Sequence, residues 1–117
     1  MSLDRRRQAL MLRSPFYRGP PADIANLKLM KSGGLREARR MIHVARAHGL
    51  AVMLGCMIES NASIVAAAHL APLLDYADLD GSLLLAEDPY ASAPLPNGRV
   101  DLEDISRAGT GAQRRTS

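Results

Sequence analysis

One cysteine, no tryptophan and four aromatic residues (Phe16, Tyr17, Tyr76, Tyr90) are all that 117 residues contain of these types. A lone thiol, Cys56, excludes an intramolecular disulfide and gives no sign of a stapled extracellular framework, so a cytoplasmic setting is expected. With so few rings, the stacking platforms of single-strand nucleic-acid binders are missing. Any core must come from Leu, Ile, Val, Met and above all Ala, which implies closely packed helices. No apolar run approaches the roughly 18 residues that would cross a bilayer, so no membrane partner is expected. The segment from Met1 to Arg18 holds five arginines and only a short apolar patch, Ala9 to Leu12. That patch is too short for the apolar region of a secretory signal.

Positive charge is also missing from the middle of the chain. Residues 47–98 carry no Lys or Arg and six Asp or Glu, whereas residues 1–46 carry eleven Lys or Arg against three acids. The total is a modest +3, with 47% hydrophobic residues, a globular composition. The basic first half supplies phosphate-neutralising charge but brings no recognition motif. Nucleic-acid binding through the Arg-rich arm is therefore only the remote alternative.

Between these limits the apolar pattern is regular. From Met1 to Pro21 the Arg-rich, Pro/Gly-punctuated sequence holds no sustained period and reads as an irregular arm. Between Asp23 and Lys31 the chain is apolar apart from Asn26 and Lys28, and the run Asp23 to Lys31 reads as a strand buried on both faces, stopped by Gly33-Gly34. Leu35, Ala38, Ile42 and Ala45 recur every three or four residues among arginines, an amphipathic helix over 35–48 that ends at Gly49. A second strand is expected over Leu50 to Leu54. Ser60 or Asn61 is placed to cap an apolar helix from Ala62 to Leu74, whose last turn Pro72 should loosen. Tyr76 to Gly81 reads as a third strand, followed by a Pro/Gly-rich end. The order is β-α-β-α-β, with strand positions 27, 51 and 77 spaced by 24 and 26 residues, the length of a helical crossover. Parallel strands follow.

In parallel β/α architectures functional side chains gather at the carboxyl ends of the strands, which points to Lys28, Glu59, Asp78 and Asp80. Side-chain alternation puts Asn26 with Lys28 on one strand face and Asp78 with Asp80 on another. A charge inside a packed layer needs water, a partner or a function. Lys28 is thus either an ion-pair partner of Asp78 or Asp80, or a general base toward an acidic C–H. Asp78 and Asp80 together suit an ammonium group or a metal, or are simply a solvated strand end. Glu59 is placed to orient a substrate or a neighbouring lysine, or merely to favour a helix start. Gly33-Gly34 reads as a turn rather than an anion cradle. His43 and His48 are poorly spaced to share a metal, His69 reads as a packing residue, and Cys56, Met41, Met53 and Met57 read as apolar filler.

Taken together, the runs Asn26 to Leu35 (NLKLMKSGGL), Ala47 to Ser60 (AHGLAVMLGCMIES), Ala68-His-Leu-Ala71 and Tyr76 to Gly81 (YADLDG) resemble the end of the enolase-superfamily barrel. Within it, the muconate lactonizing subgroup is nearest, and there the dipeptide (L-Ala-D/L-Glu) epimerases. The resemblance runs from about Asp23 to Gly81 and fades toward Asp104. It implies an α/β fold in which the three strands are the sixth to eighth of a (β/α)7β barrel. It further implies that Lys28 is one of two bases flanking the substrate α-carbon, while Asp78 and Asp80 hold the substrate ammonium group. Glu59 would be a lesser substrate contact.

The implied reaction is 1,1-proton transfer at a carbon next to a carboxylate, with Mg²⁺ as the cofactor of the complete family enzyme. The family's Lys-X-Lys, its three acidic Mg²⁺ ligands and its capping domain are missing from this sequence. Neither a metal ligand nor activity is thus expected of this chain alone. Met1 to Ala22 departs from the family pattern in a way that suits a shifted reading frame or a misplaced start, and the end from 107 to 117 departs too. The expected layout is an irregular basic arm over 1–22, a partial barrel domain over 23–88 and a Pro/Gly-rich tail over 89–117. Expected partners are a dipeptide or other carboxylate substrate in the complete enzyme, and either a separate N-terminal half or a second copy of the chain. The sister o-succinylbenzoate synthases, N-succinylamino acid racemases and cycloisomerases remain alternatives.

Overall fold

The computed structural model describes residues 23–103, 105 and 109–116, so the basic arm expected over 1–22 lies outside the described residues. The first half follows the apolar pattern: β1 (Ile24–Lys28), a helical turn α1 (Leu29–Ser32), α2 (Leu35–Ala47), β2 (Ala51–Gly55), α3 (Asn61–Ala68) and β3 (Tyr76–Ala77). The strands form one parallel sheet in the order β1-β2-β3. Ile24 lies opposite Ala51 and Lys28 opposite Gly55, and on the other side of β2 Met53 lies opposite Tyr76. This is the expected β-α-β-α-β path with parallel strands.

The element bounds correct several expectations. The run 23–31 is not one doubly buried strand. Burial alternates, with Ala25 and Leu27 covered and Ile24 and Asn26 exposed, so only one face of β1 is packed. Pairing stops at Lys28, after which Ser32 Oγ donates to the Leu29 carbonyl (2.9 Å) and closes a helical turn. Gly33 and Gly34 follow with φ of 91° and 107°, a consecutive left-handed pair that side-chain-bearing residues rarely adopt. The double glycine is a turn that redirects the chain into α2.

Helix α2 buries Ala38, Met41, Ile42 and Ala45 against the sheet and turns its arginines outward. Two alanines on that face let the helix lie close to Leu27, Val52 and Leu54, which are almost fully buried. Burying each such side chain contributes about 1.5–3 kcal/mol.

Helix α3 is shorter than the apolar run from which it was expected. It ends at Ala68, and Pro72 sits in a separate 3₁₀ turn over Ala71–Leu73. Ser60 occupies the cap position without a side-chain capping bond. The Asn61 N–H donates instead to Asp88 Oδ2 (2.6 Å), a carboxylate 27 residues further on. His69 follows the helix exposed, its Nδ1 2.7 Å from the Val65 carbonyl oxygen. Strand β3 is only two residues long. The Asp78 N–H still donates to the Leu54 carbonyl (2.9 Å), which carries the chain one step past the ladder before the 3₁₀ turn Gly81–Leu84.

Beyond residue 88 the segment expected as a tail holds an antiparallel ribbon of β4 (Tyr90–Ala91) and β5 (Gln113–Arg114). It returns to α3, where Asn61 Nδ2 donates to the carbonyl of buried Ala93 (3.2 Å). Among the described residues no helix is long and apolar enough to cross a membrane.

At the start of β2, Asp75 ties the sheet to α2. Its Oδ2 accepts from the Val52 N–H (2.8 Å) and lies 3.3 Å from Arg46 Nη2, while the same guanidinium donates to the Leu73 carbonyl. Asp75→Ala leaves the Val52 N–H without its side-chain acceptor and is expected to cost about 1–3 kcal/mol. Arg46→Ala, at a half-exposed group, should cost less, about 0–1 kcal/mol. Urea unfolding of the two variants checks the order; equal losses would contradict it.

Candidate functional site

The carboxyl ends of the three strands meet around one residue, Cys56, which follows the last residue of β2. On one side its carbonyl oxygen accepts from Lys28 Nζ (3.0 Å), and on the other its Sγ lies 3.8 Å from Asp80 Oδ1. Lys28 also reaches Met57 Sδ at 3.4 Å. The lysine stands at the end of β1 and is half-buried, whereas Asp78 and Asp80 stand just past β3 and are exposed. No ion pair joins Lys28 to either aspartate among the described residues, so its expected structural pairing is replaced by a bond to the Cys56 backbone.

Small residues make this approach possible. A side chain on Gly55 would press on Asn26 Oδ1 at 3.1 Å and meet Lys28 Cε at 3.8 Å, so the bare backbone of β2 lets the polar side chains of β1 lie across it. A Cβ on Gly81 would collide with the Met57 carbonyl oxygen. Gly81 thus lets the turn after β3 dock on the turn after β2, bringing Asp80 to Cys56. In the sequence Gly81 is the end of the run Tyr76 to Gly81, and nothing in that pattern shows its part in this docking.

Cys56 is more than filler. Burial holds its thiol above the ordinary pKa; the Gly81 backbone N–H pulls part of the way back, and the charges of Asp78, Asp80 and Glu59 add to the rise. The thiol therefore stays protonated at neutral pH and is a poor nucleophile.

Glu59 is buried, 5% exposed, with both oxygens engaged: Oε2 accepts from the Met57 N–H (2.8 Å) and Oε1 from Ser63 Oγ (2.6 Å). A cleft of about 480 Å³ lies along Asp78, Leu79 and Asp80 and is also lined by Leu95, Arg99 and Val100. Lys28 does not line it. His43 and His69 lie away from this end, in a basic groove with Arg36, Arg39 and Arg40.

The cluster that offers metal donors is Cys56, Asp78 and Asp80, whose ligand atoms lie within 4.8 Å of one another. Mg²⁺ demands a near-octahedral shell of oxygens. Two exposed carboxylates with a protonated thiol as third donor do not supply that shell, because sulfur is a soft ligand. The described residues do not fit Mg²⁺.

A parallel β/α sheet with a lysine and an acid pair at the carboxyl ends of its strands is consistent with a portion of a β/α barrel. The chain matches the Enolase C-terminal domain-like family over residues 13–114, and it belongs to that family. An L-Ala-D/L-Glu epimerase of Bacteroides thetaiotaomicron is 44% identical over 84 residues, 72% of this chain and 22% of the relative. A hydrophobic dipeptide epimerase of Roseobacter litoralis is 54% identical over 76 residues, 65% of this chain and 22% of the relative. Among solved structures, the dipeptide epimerase from Methylococcus capsulatus complexed with Mg and the dipeptide L-Arg-D-Lys is 44% identical. It superposes with a TM-score of 0.66 over 77% of this chain and 25% of its own. The chain spans about a quarter of the length of the relatives it matches.

Cys56 should react with iodoacetamide more slowly in the folded chain than in urea, and the difference should narrow as pH rises through the alkaline range. The sign is set by the raised pKa: the folded state holds the thiol proton more tightly than the unfolded one. The associated stability is therefore full below the unfolded pKa and lost as pH rises through the folded one. Mass-spectrometric alkylation rates check this; equal rates at neutral pH would refute it.

Proposed function

We propose that this chain supplies the lysine and ammonium-binding side of a dipeptide-epimerase barrel. In this reading Lys28 takes or returns a proton at the carbon next to a substrate carboxylate, and Asp78 and Asp80 hold the substrate's ammonium group. The observation that carries it is the convergence of Lys28 and the acid pair on Cys56, at the carboxyl ends of three parallel strands. A half-buried ammonium at a strand end is suited to proton transfer within a closed site. Two exposed carboxylates side by side complement a cation. The acid pair is what favours a dipeptide over the substrates of the sister racemases, synthases and cycloisomerases. No step is assigned to Mg²⁺ here, because the donors present do not fit it.

The described surface also supports a completing role, in which the chain docks on a separate N-terminal half or a second copy. Strands β1 and β3 each pair only with β2 among the described residues, and Ile24 and Tyr76 are 45% and 56% exposed. Open edges and apolar side chains of this kind invite further strand pairing. The layout that goes with this reading is a basic arm over 1–22, a partial barrel over 23–88 and a C-terminal extension over 89–117. A reducing, cytoplasmic compartment suits the free thiol.

Co-expression with the N-terminal portion of one of the epimerase relatives tests both readings. The two pieces should co-purify and exchange the α-proton of Ala-Glu or a hydrophobic dipeptide with D₂O in the presence of Mg²⁺. Lys28→Ala should lower exchange by about 100-fold or more. Asp78→Asn and Asp80→Asn should raise KM more than they lower kcat. Exchange that survives Lys28→Ala would remove the lysine from the mechanism, and failure to co-purify would count against the completing role.

A further inference from the structure

Among the described residues Glu59 is a carboxylate buried without a cation in contact. Such a group persists only when hydrogen-bonded and electrically balanced. Its two direct donors, the Met57 N–H and Ser63 Oγ–H, are neutral. The balancing charge lies one peptide away. The Met57 N–H and the Cys56 carbonyl are opposite ends of the same peptide group, and that carbonyl accepts from the Lys28 ammonium at 3.0 Å. Carboxylate, peptide and ammonium form one chain of hydrogen bonds, with the negative group on the N–H end and the positive group on the C=O end. Each bond polarises the peptide in the sense that strengthens the other.

We propose that Glu59 is a positioning residue that orients and holds Lys28 through the Cys56–Met57 peptide. The carboxylate fixes the peptide plane, the peptide fixes the ammonium, and Met57 Sδ at 3.4 Å limits the remaining freedom of Nζ. Ser63, in the first turn of α3, anchors the second carboxylate oxygen, so the relay is braced on a helix rather than on the loop alone. The catalytic consequence rests on Lys28 being the base, as proposed above. The relay itself is a property of this chain and is tested without activity.

The sequence offers a direct probe, because it contains only two lysines, Lys28 and the exposed Lys31. Limited acetylation of the full chain with acetic anhydride, read by mass spectrometry, gives the ratio of Lys28 to Lys31 modification, with Lys31 as internal reference. In the parent chain the tethered Lys28 should react more slowly than Lys31. Glu59→Gln keeps the shape of the side chain but removes its charge, and should raise the ratio several-fold. Glu59→Ala should raise it further, by roughly tenfold, the scale of losing a hydrogen bond to a charged group. Asp75→Ala weakens the other end of the sheet without touching this peptide and should leave the ratio unchanged, which separates positioning from general loosening.

An unchanged ratio in Glu59→Gln with its helical circular dichroism intact would overturn the proposal, as would an equal rise in Asp75→Ala. If Glu59→Gln loses its helical signal, Ser63→Ala takes its place. It keeps the carboxylate but removes its anchor, so a smaller rise is expected and no rise refutes the relay. Absence of epimerase activity in the co-expressed pair would refute the proposed function and leave this ratio untouched.

Discussion

Strand β2 is the element on which the rest of the structure depends. It pairs over all five residues with β1 and by two with β3, buries Val52 and Leu54 against the helices, and ends in the turn that carries Cys56 and Met57. Because both outer strands register on it, the positions of Lys28 and of the acid pair are set relative to β2 rather than to each other. Lys28 lies opposite Gly55, and Asp78 leaves the ladder through a bond to Leu54. A shift of one residue in either register would send these polar side chains to the packed face and the apolar ones to the open face. The buried side chains Leu27, Val52 and Leu54 make that shift costly.

At the end of β2 the sheet gives way to contacts that depend on the absence of side chains. Gly55 leaves room for Asn26 and Lys28, and Gly81 lets the turn after β3 rest on the Met57 carbonyl. Cys56 thereby becomes the shared neighbour of a cation and two anions without being an ion itself. Burial is the first cause of its raised pKa, and the neighbouring carboxylates, which themselves stay exposed, add to the rise because they disfavour a third negative charge beside them. The same donor set does not supply the oxygen shell of Mg²⁺, and what stands at the strand ends among the described residues is a half-buried lysine and two exposed carboxylates.

Much of this was legible in one dimension. The period of three to four from Leu35 to Ala45, the apolar run before Gly55 and the 24- and 26-residue spacings are enough for parallel β-α-β-α-β, because burial of one helix stripe and one strand face is a local property of the chain. The motifs around Lys28, Glu59 and Asp78-Leu79-Asp80 led to the enolase superfamily for a similar reason: they are short, contiguous and chemically unusual for strand ends. Element bounds were less legible. The run between Asp23 and Lys31 looks largely apolar, yet strand pairing ends at Lys28, opposite Gly55 as the last residue of β2, and β3 is cut to two residues where β2, its neighbour among the described residues, ends.

The amino-acid sequence by itself determined the order of the main elements, the amphipathic face of α2, the turn at Gly33-Gly34, and the family. Each follows from side-chain volume, polarity and backbone freedom at neighbouring positions. Only the tertiary structure decided that Asp88 rather than Ser60 satisfies the start of α3, that Lys28 bonds to the Cys56 carbonyl rather than to an aspartate, and that Glu59 lies buried at the far end of the same peptide. Those partners are separated by 27 residues for Asp88 with Asn61 and 28 for Lys28 with Cys56. Hydrogen bonding of this kind depends on distances of a few tenths of an ångström between segments whose approach is set by packing, and no spacing rule along the chain encodes it.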